Sequence, residues 1–133
     1  MKKIDHIGIA VKDVEASNEL FSKLFNKAPF HQELLETQHL QVSFFALEDT
    51  KVELIQPVSE KSTVHKYLEN KGEGIHHVAF EVEDIYAEMK RLKEAGFQLL
   101  QEEPKRGADN KLICFLHPKN TKGVLLELCM EIR

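Results

Sequence analysis

The sequence contains one short pattern twice, at a constant offset of 71 residues. In each copy a histidine begins an apolar, strand-like run, and an aspartate follows seven residues later, directly before a helix-like segment. The matched pairs are His6 with His77, Val11 with Val82, Asp13 with Asp84, and Ala16 with Ala87. A chain that repeats a strand and a helix in this way is expected to fold as two similar modules.

Each copy predicts a βαβββ module. The aspartate suits a helix N-cap, because its carboxylate accepts hydrogen bonds from the free N–H groups of the first turn. Apolar side chains recur at helical spacing after each aspartate: Leu20, Phe21, Leu24 and Phe25 in the first copy, and Ile85, Met89 and Leu92 in the second. Strand-like runs follow at 30–36, 41–47 and 51–56, and again at 97–102, 112–117 and 124–130.

The predicted fold is α+β, with two βαβββ modules forming a cup-shaped eight-stranded mixed sheet. A four-stranded module with a helix on one face leaves its other face bare, so two copies are expected to associate. We therefore predict a single domain over 1–133, with modules at about 1–57 and 75–133 and a linker at 58–74.

Composition excludes several partners. The 18 basic and 22 acidic residues give a net charge of −4, and without a basic tract the chain carries no electrostatic signature of nucleic-acid or anionic-membrane binding. Apolar runs are too short to span a bilayer, and the polar start does not resemble a signal peptide, which predicts a cytoplasmic protein. Cys114 and Cys129 are too few for a disulfide framework and are expected to be buried thiols.

Strand parity predicts where the polar residues of the repeat point. Side chains alternate between the two faces of a strand, and bulky apolar residues of each predicted strand are expected to face its helix. This places His6 and His77, at the starts of the two copies, on the opposite face. The same argument places Glu53 and Glu127, each between two apolar neighbours, on that face as well.

These four side chains suit a divalent cation. A carboxylate buried without a partner costs several kcal/mol, and a bound ion would offset that cost. Two neutral imidazoles and two carboxylates balance one divalent charge, and the mixed nitrogen and oxygen set suits Zn²⁺, Co²⁺, Ni²⁺, Mn²⁺ or Fe²⁺. The alternative is that a histidine caps a strand end and the glutamates are solvated. His76 faces the other side and is predicted to be a structural histidine or a partner of a metal ligand, not a ligand itself. Surface or loop positions are predicted for the remaining histidines: His31, His39, His65 and His117.

The chain resembles the vicinal oxygen chelate superfamily, which includes glyoxalases, bleomycin resistance proteins and dioxygenases. The resemblance covers nearly the whole chain through the paired modules. Within the superfamily it is most similar to methylmalonyl-CoA epimerases, on the segments 53–57, 74–82, 102–107, 115–119 and 123–128. The most discriminating of these read Phe-Leu-His-Pro-Lys and Gly-Val-Leu-Leu-Glu-Leu. In such epimerases the position of Glu53 is also filled by glutamine, and some members carry a further carboxylate where this chain has Val42 and Ser43.

The resemblance implies that His6, Glu53, His77 and Glu127 bind one divalent metal ion. It further implies a metal-dependent epimerase of methylmalonyl-CoA that abstracts the proton next to the thioester through a stabilised enolate, with Glu127 and Glu53 as catalytic carboxylates. A small-molecule thioester substrate and a homodimer are expected. Residues that hold CoA are not identified; Lys105, Arg106 and Lys119 are candidates by charge alone.

Other functions remain open at this point. Lactoylglutathione lyase, or glyoxalase I, isomerises a glutathione hemithioacetal with the same ligand types and the same proton chemistry. A related enzyme or binding protein of the superfamily is a further alternative. A fourth ligand and a short chain argue against an extradiol dioxygenase, and a complete ligand set argues against an antibiotic-binding module.

Overall fold

A computed structural model describes every residue, Met1–Arg133. The elements in chain order are β1 (Lys3–Ala10), α1 (Val14–Phe25), β2 (His31–Leu35), β3 (Leu40–Leu47), β4 (Thr50–Pro57), α2 (Thr63–Lys71), β5 (Gly74–Glu81), α3 (Ile85–Glu94), β6 (Lys105–Gly107), β7 (Lys111–Leu116) and β8 (Leu126–Glu131), with short 3-10 helices at Glu36–Gln38 and Pro118–Asn120. The strands are hydrogen-bonded in the order β2-β3-β4-β1-β5-β8-β7-β6. Because β5 pairs with β8 in parallel and β7 pairs with β8 antiparallel, the predicted eight-stranded mixed sheet of an α+β fold is confirmed.

The chain divides into two compact units. The continuous unit is Ile7–His76, and the discontinuous unit combines Met1–His6 with His77–Arg133. Both β1 and β5 run across this division, so each contributes residues to both units.

In the discontinuous unit, α3 covers an apolar core. Asp84 caps the helix as predicted, since its Oδ1 accepts hydrogen bonds from the N–H groups of Tyr86 and Ala87 at 3.0 and 3.2 Å. The predicted stripe of the helix packs with residues of the neighbouring strands, and the buried cluster is Val82, Ile85, Met89, Leu92, Cys114, Leu116 and Leu128.

In the continuous unit, α1 packs on β3 and β4. Asp13 caps this helix in the same way, accepting from the N–H groups of Glu15 and Ala16 at 3.0 and 3.2 Å. The buried cluster is Val11, Val14, Phe45, Val52 and Leu54, with Phe21 and Phe25 packed against it. Leu20 and Leu24 belong to the predicted stripe but are 63% and 68% exposed, so only part of that stripe faces the core.

The strand predicted at 97–102 does not form. Its only ladder contact is an isolated bridge between Leu99 and Leu116, supported by a hydrogen bond from the Leu100 N–H to the Phe115 carbonyl at 2.8 Å. The segment then runs through two glutamates to Pro104, which has no N–H to donate to a ladder. The edge strand begins only after this proline, as β6.

None of the helices has the combination of length and apolar character that a membrane-crossing helix requires.

The buried thiol of Cys114 makes stability depend on pH in the alkaline range. Burial raises the pKa of Cys114 above its ordinary value of 9.0, and the charge of Glu127 adds to this, while Gln101 and Lys105 oppose it. Above about pH 9 the unfolded thiol releases its proton while the folded thiol retains it, so the free energy of unfolding decreases as the pH rises. We expect Cys114→Ala to show a smaller decrease between about pH 8 and pH 10 in urea unfolding; equal decreases in both proteins would contradict this.

Candidate metal centre

Three of the four predicted ligands meet in the discontinuous unit. His6 lies on β1, His77 on β5 and Glu127 on β8, and each is only 4% exposed. The two Nε2 atoms of the histidines are 3.2 Å apart. Glu127 Oε2 lies 3.6 Å from His6 Nε2, and Glu127 Oε1 lies 3.5 Å from His77 Nε2. One nitrogen from each histidine therefore faces the other, and each lies near a different oxygen of the Glu127 carboxylate.

Strand register explains this convergence. In the parallel pair, Ala79 of β5 is opposite Glu127 of β8, so both lie on one face of the sheet. His77 is two residues before Ala79 and shares that face. Phe115 of β7 is opposite Glu127 on its other side, and its ring meets the His77 ring edge to face, with centroids 5.7 Å apart. Glu127 is thus bordered by a small side chain on one strand and an aromatic ring on the other.

The three residues fit a divalent ion. Ligand atoms about 2.1 Å from one ion lie about 3.0–3.4 Å apart in tetrahedral or octahedral geometry, close to the spacings found here. Two imidazoles and a carboxylate form a borderline donor set that suits first-row transition metals and zinc. One nitrogen or oxygen from each of His6, His77 and Glu127 lies within 4.8 Å of the others. The structure therefore contains a candidate metal centre formed by these three side chains.

Glu53 belongs to the continuous unit. It lies on β4 opposite Phe44 of β3 and is 6% exposed. Strand parity predicts that its side chain points away from the helix-facing pair Val52 and Leu54, and both of those residues pack in the α1 core. Its role as a ligand stays a prediction.

Sequence reasoning missed two buried charged residues next to His6. Asp5 Oδ2 lies 2.8 Å from His6 Nδ1, and Lys111 Nζ lies 3.8 Å from Asp5 Oδ1. Both residues are buried in strands. The available signal was a lysine at the start of an otherwise apolar strand, Lys-Leu-Ile-Cys-Phe-Leu, and an aspartate beside a candidate ligand.

The remaining histidines take other roles. The His76 ring packs edge to face on Tyr67, with centroids 4.9 Å apart, as its predicted structural role implies. His31 Nε2 lies 2.8 Å from Glu33 Oε1, and His65 Nε2 lies 3.5 Å from Glu69 Oε1. His39 has a left-handed backbone conformation next to a 3-10 helix, and His117 caps the other 3-10 helix.

One of the basic residues considered for CoA lies next to this centre. Lys105 Nζ is 6.0 Å from the centroid of the Phe115 ring, which in turn contacts His77. Arg106 instead donates a hydrogen bond to Asn110 Oδ1 at 3.1 Å, and Lys119 lies in the second 3-10 helix. Of these three residues, Lys105 is therefore the one that packs on an aromatic ring in contact with the cluster.

Residues 5–115 match the Glyoxalase/Bleomycin resistance protein/Dioxygenase superfamily. The chain belongs to this superfamily, which confirms the resemblance noted from the paired modules and the ligand types.

Within the superfamily, the chain is similar to methylmalonyl-CoA epimerases. It is 41% identical to the ethylmalonyl-CoA/methylmalonyl-CoA epimerase of Cereibacter sphaeroides, over 95% of this chain and 96% of that protein. It is 35% identical to the mitochondrial methylmalonyl-CoA epimerase of Homo sapiens, over 95% of this chain and 72% of that protein. A variant of the Streptomyces coelicolor methylmalonyl-CoA epimerase, solved in complex with 2-nitronate-propionyl-CoA, superposes with a TM-score of 0.93 at 36% identity, over 98% of this chain and 95% of that one. The resemblance to methylmalonyl-CoA epimerases predicted from the sequence is confirmed.

Proposed function

We propose that this protein is a metal-dependent methylmalonyl-CoA epimerase. The observation that carries the proposal is the buried Glu127 carboxylate, 3.6 and 3.5 Å from two histidine nitrogens that face one another. Similarity to epimerases over nearly the full chain supports the acyl-CoA thioester as the substrate class.

Epimerisation exchanges the proton on a carbon that lies between a thioester and a carboxylate. Glu127 is proposed to remove this proton: the C–H bond breaks, its electron pair moves toward the thioester oxygen, and the carboxylate takes the proton on an oxygen. The neighbouring Ala79, which is fully buried, borders the carboxylate on the β5 side with a small side chain. A bordering Phe115 ring excludes water on the β7 side.

The proton must return from the opposite face of the carbon. We propose Glu53 as the second proton-transfer group, because β3 does not offer one: Val42 is buried, and the Ser43 hydroxyl donates to Asn18 Oδ1 on α1 at 2.6 Å. The assignment of Glu53 rests on strand parity and on its burial.

The ion would be held by His6, His77 and Glu127, with Glu53 as the proposed fourth ligand. When bound, a divalent ion supplies a Lewis acid that stabilises the negative charge developing on the substrate oxygens. Its identity among zinc, cobalt, nickel, manganese and iron stays a prediction, as do the homodimer and the cytoplasmic location.

Exchange of the C2 proton of methylmalonyl-CoA tests this function directly. With purified, metal-loaded protein in D₂O, we expect the C2 proton signal to disappear from the ¹H NMR spectrum far faster than in a protein-free blank. The glutathione hemithioacetal of methylglyoxal is assayed in parallel, because lactoylglutathione lyase needs the same ligand types and proton chemistry. Conversion of the hemithioacetal without exchange of methylmalonyl-CoA would replace the epimerase assignment by the lyase.

A further inference from the structure

His6 is held on the side away from the candidate metal centre by a second buried carboxylate. Asp5 Oδ2 is 2.8 Å from His6 Nδ1, while His6 Nε2 faces His77 Nε2 at 3.2 Å. Asp5 and His6 are both buried, so this contact is shielded from water. The two ring nitrogens of His6 therefore meet different partners on opposite sides.

We infer that Asp5 is a positioning residue that fixes His6 in the form with its proton on Nδ1, so that Nε2 presents its lone pair toward the metal ion. This inference rests on the metal site of the proposed function. An ionised carboxylate only accepts hydrogen bonds, so the nitrogen that faces Asp5 carries the hydrogen. In a neutral imidazole the other nitrogen is then a lone-pair donor, which is the state that a metal ligand requires.

Lys111 is a second charged partner of Asp5, on the other carboxylate oxygen. Its ammonium nitrogen lies 3.8 Å from Asp5 Oδ1, and both side chains are buried. The pair is neutral as a whole, so it adds no net charge beside the ion. Asp5, His6 and Cys129 have ligand atoms within 4.8 Å of one another, as a second cation site would. The positive charge of Lys111 beside Asp5 would repel a cation there.

The repeat indicates that the strand itself does not require an aspartate here. The position equivalent to Asp5 in the second copy is His76, whose ring packs on Tyr67. A β-strand with a ligand histidine in the next position therefore forms with either residue. The carboxylate of Asp5 is accordingly explained by its contact with the imidazole of His6 rather than by strand formation.

The test uses metal-free, ¹⁵N-labelled protein and imidazole ¹H–¹⁵N correlation spectra, with His6→Gln to assign the His6 signals. Wild-type His6 is expected to be protonated on Nδ1, and Asp5→Asn is expected to shift its proton wholly or partly to Nε2. Co²⁺ titrated against a chelating dye should bind Asp5→Asn about 10- to 100-fold more weakly than wild type. Asp84→Asn makes the same substitution at the N-cap of α3, where asparagine also caps, and should change neither measurement.

Several outcomes would overturn the inference. Protonation of wild-type His6 on Nε2 would overturn it, and this measurement is valid even if Asp5→Asn fails to fold. Unchanged Co²⁺ affinity in folded Asp5→Asn would also overturn it. So would binding of a second Co²⁺ ion with a thiolate absorption band that disappears in Cys129→Ala. Failure to exchange methylmalonyl-CoA would instead remove the proposed function while leaving the tautomer and the Co²⁺ result to decide the role of Asp5.

Discussion

Glu127→Gln is expected to lower kcat for epimerisation by about 10²- to 10⁴-fold, the usual contribution of a positioned general base. Glutamine has nearly the same shape but cannot accept the C2 proton. Because it also presents only one neutral oxygen to the histidine nitrogens that Glu127 faces, weaker metal binding is expected as well. Rates are measured by loss of the C2 proton in D₂O at saturating metal ion, with circular dichroism to verify the fold.

Glu131→Gln is the matched control. Glu131 lies on the same strand, β8, but its side chain is exposed, so the same substitution there should leave the exchange rate unchanged. Full activity of a folded Glu127→Gln variant would refute the role of Glu127 as the base.

Removal of the metal ion is expected to lower activity by about 100-fold or more, since several kcal/mol of charge stabilisation is lost. It should also lower the thermal midpoint, because the imidazoles and the carboxylate of the buried cluster then face each other without the cation. Dialysis against a strong chelator, followed by metal analysis, exchange assays and a thermal scan, measures both effects. Adding back one equivalent of a divalent transition metal should restore activity and midpoint together.

As a control, the chelator is saturated with metal before use, and protein dialysed against it should keep its activity. A preparation with no detectable divalent ion but undiminished exchange would contradict a metal-dependent mechanism. That result would not contradict the proposed role of Glu127 as the base.

Three of the proposed ligands were predictable from the sequence because each is a polar residue at a defined parity in an apolar strand. His6 and His77 also share a repeat, so one alignment located both. The meeting of His77 with Glu127 follows from the parallel pairing of β5 and β8, which strand parity alone does not specify. Parity assigns a face to each side chain, whereas proximity depends on strand order.

The less predictable features depend on long-range contacts or local breaks. Asp5 and Lys111 form an ion pair because the start of β1 and the whole of β7 belong to the same unit, although they are far apart in the sequence. The strand expected at 97–102 has suitable apolar residues, but the glutamates and Pro104 that follow end the ladder after Leu99. Similarly, helical spacing grouped Leu20 with Phe21, and only the packing of α1 shows that Leu20 is exposed.

The placement of the ligands on β1, β5 and β8 affects the order of events during folding. His6 and His77 are 71 residues apart in the chain, and Glu127 lies near its end, so no local segment contains the complete cluster. Such non-local pairings form slowly, because the loops between them must close first. We therefore expect these three residues to capture a cation with high affinity only at a late stage of folding.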